Sequence, residues 1–112
     1  MLDASQMKLL FFGLLILAVA LEVIGDIFFK KWALSNQNTL IAAGLAVYFI
    51  GTAFWAFSLK YEYLSKAISV FTVLNLVAVV LVGVFLFKDD LTLINKIGIV
   101  LGVISVLLIE LF

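Results

Sequence analysis

Cysteine, histidine and proline are absent from this 112-residue chain, and all seven of its basic residues are lysines, so arginine is missing too. Without cysteine there is no disulfide framework and no thiolate metal site. Without histidine the chain lacks the commonest metal ligand and the usual neutral-pH proton carrier. Proton chemistry therefore falls to carboxylates or lysines. Without proline, a helix kink must come from glycine or tertiary strain. The net charge is zero, which gives no electrostatic support to nucleic-acid binding. No nucleophile–base pair, metal cluster or phosphate loop is visible, so neither enzyme activity nor a cofactor is expected.

What is present is oil. Hydrophobic residues make up 67% of the chain and charged ones 12%, and the mean hydropathy is +1.37. Soluble domains run roughly half apolar and a quarter charged. A helix needs about 20 residues to cross about 30 Å of hydrocarbon. Four segments qualify, at residues 9–29, 40–59, 67–87 and 91–111. The expected architecture is an all-α membrane protein, one domain over residues 1–112, with four transmembrane helices in antiparallel hairpins. Asp89 or Asp90 is the expected N-cap of the fourth helix. Trp32, Tyr61 and Tyr63 are expected in loops as interface anchors. Ala18-Val19-Ala20 fits a signal-peptidase pattern, but the preceding region is barely basic and the apolar run continues, so cleavage is not expected.

With four spans both termini share a side. That side holds Lys8, Lys60 and Lys66, and the other holds Lys30, Lys31, Lys88 and Lys96. So small a bias gives the positive-inside rule little to act on. Insertion in both orientations is the expectation, and two opposed copies would form an antiparallel dimer resembling the inverted repeats of larger transporters. The competing reading is one topology fixed by a single decisive lysine.

Glu22 sits deep in the first span with no basic residue within a helical turn. Intramembrane acids are costly and mark functional sites by default. Asp26 follows at i+4 on the same face. The two differ in setting. Asp26 lies roughly 4–5 Å from the expected helix end and Glu22 roughly 10 Å. Lys30 follows Asp26 in the favourable acid-before-base order, but is about 12 Å along the axis from Glu22. Low dielectric and the neighbouring acid both disfavour the charged form of Glu22. A carboxyl so poised can hold a proton or a cation, and that exclusion is the physical basis of antiport. The bland alternative is an interhelical hydrogen bond for Glu22 and a local ion pair for Asp26.

Ala18 and Gly25 flank the acids on the first helix. The second helix carries Tyr48, Thr52 and Trp55 on one face, which suits a cation or ordinary packing. The third carries Ser65, Ser69, Thr72 and Asn75 drifting around one side, with Asn75 the deepest amide; it would bind a polar substrate or a neighbouring helix. The fourth carries Gly98-x-x-x-Gly102 with Ser105 continuing the small face, as in helices that approach closely in a dimer or within one chain.

The stretch Ala20-Leu21-Glu22-Val23-Ile24-Gly25, with Lys30 after it, resembles the signature of the small multidrug resistance family, within the drug/metabolite transporter superfamily. The resemblance in length, spans and short loops covers nearly the whole chain. It implies an antiparallel homodimer in the bilayer that exports organic cations in exchange for protons, with Glu22 the shared proton and substrate site. Family substrates include quaternary ammonium compounds, polyaromatic cations, guanidinium ions and, in paired subunits, polyamines. Helix 3 departs from the family run. Phe71 stands where the stacking tryptophan would be, Ile68 replaces the tyrosine, and Val73-Leu74-Asn75 replaces a Gly-Val-Gly. Leu74-Asn75 and the segment from Phe87 to Thr92 look more like superfamily relatives that move lipid-linked sugars.

The leading expectation is a proton-coupled exporter of small organic cations in the cell inner (plasma) membrane, as a homodimer or a heterodimer with a paralogous subunit. Glu22 and Asp26 would bind proton and substrate. Ala18, Gly25, Tyr48, Thr52, Trp55, Ser69, Phe71, Thr72 and Asn75 would line the pathway, and Gly98, Gly102 and Ser105 would form the dimer contact. Two rivals stand beside it: a small subunit of a lipid-linked sugar or polar metabolite transporter, and a non-transporting membrane assembly subunit.

Overall fold

The computed structural model describes residues 2–112. They form four α-helices: α1 (Ala4–Ser35), α2 (Asn38–Ser58), α3 (Leu64–Phe85) and α4 (Leu93–Leu111). Each is long and apolar enough to cross a membrane, and no strand occurs among the described residues. This is a four-span, all-α, multi-pass membrane protein. The chain divides into two units, one up to Leu64 and one from Ser65 to Phe112.

In the first unit, α1 is longer at both ends than its apolar run. At the N-terminus Asp3 forms a capping box. Its Oδ1 accepts the Gln6 N–H at 2.8 Å, and Gln6 Oε1 accepts the Asp3 N–H at 3.1 Å. Two otherwise orphaned donors are satisfied, so the helix starts among polar residues. At the other end helix continues through Lys30, Lys31 and Trp32 and stops at Asn36, in the left-handed conformation (φ 59°). Trp32 is therefore helical rather than in a loop, whereas Tyr61 and Tyr63 do lie in the α2–α3 connection. Only Asn36 and Gln37 join α1 to α2. The 32 residues of α1 span about 48 Å, so its ends project beyond the hydrocarbon or the helix tilts. Glu22 consequently lies about 20 Å from the helix end, although the added turns carry Lys30 and Lys31 and lie beyond the apolar run.

The α1–α2 pair follows a heptad. Buried Phe11, Leu15, Ala18, Glu22 and Gly25 alternate by four and three residues along α1. On α2 the buried residues Gly44, Gly51 and Ser58 recur every seven. A 3.5-residue repeat keeps one stripe facing its partner, as in a left-handed coiled coil. Here one stripe is largely glycine, which lets the backbones close up where lipid provides no hydrophobic drive for association.

In the second unit, α3 runs unbroken through Val73-Leu74-Asn75. Beyond it, Lys88 takes the left-handed conformation (φ 57°), and the chain folds back so that the Asp89 N–H donates to Gly83 O at 2.9 Å. Asp89 Oδ2 fills the space a methyl on Gly83 would need, 2.5 Å away. Asp89 thus closes α3 rather than opening α4. The N-cap of α4 is Thr92, whose Oγ1 accepts the Asn95 N–H at 3.1 Å. The helix accordingly begins two residues later than the expected boundary, and the connection runs over residues 86–92. No residue of α4 is buried. Replacing Thr92 with Ala should weaken the first turn of α4 by about 0.5–2 kcal/mol, read as faster amide hydrogen exchange at Asn95. Asp90→Ala should leave that exchange unchanged.

Candidate functional site

Glu22 occupies a core position of the α1–α2 seam and is only 6% exposed. The seam is tight around it because α2 offers no side chain at Gly51. A methyl there would lie 3.1 Å from Glu22 Cγ and Leu21 Cβ, and 3.3 Å from Ala18 O. One turn along, a methyl on Gly25 would lie 2.8 Å from Tyr48 Cδ2 and 3.2 Å from Gly44 O. A methyl on Gly44 would lie 2.6 Å from Phe29 Cε1. The Phe29 and Tyr48 rings pack at 5.6 Å between centroids, tilted by 42°. Tyr48 is wedged between Gly25 and Phe29 beside the acid.

The polar partner of Glu22 is Thr52. Its Oγ1 lies 3.5 Å from Glu22 Oε1 and 2.9 Å from Tyr48 O. A hydroxyl has one hydrogen and two lone pairs. The short contact to Tyr48 O claims most of that hydrogen, so the donation from Thr52 Oγ1 to Glu22 Oε1 is a long, weak second bond. Among the described residues no lysine forms an ion pair with Glu22 or Asp26. Lys30 is exposed, and the local pair with Asp26, the alternative reading of that spacing, is not formed among the described residues. Asp26 is half-buried one turn from Glu22, beside the seam rather than in it.

The sequence-nominated residues fall into separate groups. Ala18, Glu22, Gly25 and Tyr48 come together in the α1–α2 seam, with Thr52 exposed at its edge and Trp55 half-buried further along α2. On α3, Ser69 Oγ donates to Ser65 O at 2.8 Å, which uses its hydrogen within the helix. Thr72 is exposed and Phe71 half-buried. Asn75 is half-buried, with its Oδ1 enclosed and without a donor. On α4, Gly98 has open space around it, a methyl on Gly102 would lie 3.6 Å from Leu76 Cδ2, and Ser105 Oγ donates to Leu101 O at 2.9 Å. The sequence reading missed Gly44, whereas Phe29, on or beside the face of the two acids by spacing, does pack into the seam. The signal available was the seven-residue interval Gly44, Gly51, Ser58, which marks a close-packing stripe.

Residues 10–102 match the family described as Small Multidrug Resistance protein. The quaternary ammonium compound-resistance protein QacC of Staphylococcus aureus is 29% identical over 103 residues, covering 88% of this chain and 92% of that protein. No solved structure matches.

The glycine stripe gives a direct test. Gly44→Ala should destabilise the purified chain by about 1–3 kcal/mol, the usual cost of overpacking, seen as a lower thermal midpoint in detergent. Gly13→Ala, where nothing lies within 4 Å, should be neutral or stabilising, since alanine favours helix over glycine by about 1 kcal/mol.

Proposed function

Because the chain belongs to the small multidrug resistance family, we propose that it exports small organic cations in exchange for protons, with Glu22 as the shared site. The supporting observation is the setting of Glu22: a carboxyl 6% exposed in a helix seam, with a hydroxyl beside it and no lysine paired to it. A single carboxylate in low dielectric stabilises one positive charge. Proton and cation therefore exclude each other, and exchange couples the two gradients. Tyr48 offers a ring face to the cation, and aromatic faces attract desolvated cations by about 2 kcal/mol. Asp26 adds negative potential one turn away and biases the site toward positive guests.

The name of the S. aureus relative points to quaternary ammonium compounds as first substrates to test; polyaromatic and polyamine-like cations are the others. Four helices are too few to enclose a site and two gates, so the working unit is a dimer in the inner membrane, with one copy rocking against the other. Gly98, Gly102 and Ser105 on α4, which has no buried residue, are the proposed dimer contact. Asn75 favours a second reading. Its enclosed, donorless oxygen suits a polar guest, as in a transporter subunit for a lipid-linked sugar or polar metabolite.

Proton release on adding candidate cations to the detergent-purified protein tests the first reading. The expected result is release that saturates with cation and falls to background in Glu22→Gln, with Asp26→Asn retaining it in part. Silence toward every cation, or release unchanged in Glu22→Gln, would overturn it. Binding of a polyprenyl phosphate sugar by an otherwise silent protein would support the second.

A further inference from the structure

A cavity of about 370 Å³ lies at the other end of the first unit, lined by Met7, Lys60, Tyr61, Glu62 and Tyr63. Its position follows from two local facts. The Asp3 capping box carries helix past the apolar run, which puts Met7 on an ordered turn. α2 ends at Ser58, so residues 59–63 form the connection where the chain leaves the bilayer. Tyrosines are favoured at that depth, and Tyr63 is 81% exposed.

The lining carries one base and one acid two residues apart. Among the described residues they form no ion pair with each other. Lys60 Nζ instead sits 5.5 Å over the Phe57 ring. Glu62 Oε1 accepts the Tyr63 N–H at 2.9 Å, which leaves its other oxygen for a guest. A cavity of this size lies within the range of small-ligand sites, about 300–1,000 Å³. An organic cation alone would face Lys60, and an anion alone would face Glu62. A ligand carrying both charges is opposed by neither.

We infer that this cavity binds the zwitterionic headgroup of a phospholipid, phosphoethanolamine in kind. The phosphate would meet Lys60 and the phenol hydroxyls, and the ammonium would meet Glu62 and a tyrosine face. Ammonium over an aromatic ring is attractive, and the apolar helix faces beside the cavity would take the acyl chains. The site is separate from Glu22 and stands whether or not the chain exports cations.

Native mass spectrometry of the full chain from micelles holding equal phosphatidylethanolamine and phosphatidylglycerol tests it. The expected result is preferential retention of phosphatidylethanolamine. Glu62→Gln should shift retention toward phosphatidylglycerol by about two- to fivefold, the size of a partly exposed ion pair. Lys60→Gln should lower retention of both lipids. On the unaltered chain, free glycerophosphoethanolamine should displace the lipid and inorganic phosphate should not, so the test survives a variant that fails to fold. Equal retention of the two lipids, or displacement by phosphate as readily as by the headgroup, would overturn the proposal. A preference that persists in Glu62→Gln but is lost in Glu22→Gln would move the lipid to the other site and overturn it as well.

Discussion

A carboxyl group occupies a core position of a helix–helix seam, where a coiled coil would place a leucine. Burying a carboxyl costs several kcal/mol unless it is neutral or finds a partner. The chain accommodates Glu22 by omitting a side chain opposite it. Gly51 leaves the space that the Glu22 stem fills, and Thr52, the next residue, brings the one hydroxyl. The rest of the first unit is arranged around that exchange of volume. Gly25 and Gly44 let the backbones approach on one side of the acid, and Phe29 and Tyr48 fill the gap with rings.

Close packing is what keeps the acid enclosed. In lipid there is no hydrophobic drive between helices, so the pair is held by contact and by loop length. The two-residue turn at Asn36 and Gln37 fixes α2 antiparallel to α1. Thr52 is exposed at the edge of the seam, beside the buried carboxyl.

The second unit is built differently. Its helices are far less buried: α3 buries Ala67 and Val70, and α4 buries nothing. Large exposed side chains such as Phe85, Ile94 and Leu111 are unremarkable against lipid, which is as apolar as they are. On α3 the Ser69 hydroxyl is spent on its own backbone. Asn75 differs, because its oxygen is enclosed and has no donor.

Composition and run length alone determined four membrane spans, and the lack of a nearby base alone singled out one acid. These are solvation arguments, and solvation acts on each residue wherever its neighbours lie. The ends of the helices were less legible, because capping depends on geometry: Thr92 rather than Asp90 starts α4, and Asp89 turns back to close α3. The pairing of Asp26 with Lys30 was a fair reading of spacing, yet the lysine lies exposed, where water solvates its charge better than a half-buried partner would. That Glu22 faces glycine, with Tyr48 and Thr52 beside it, was decided only by the tertiary structure. The register between two antiparallel helices is set by which small and large side chains interlock, and no single helix contains that information.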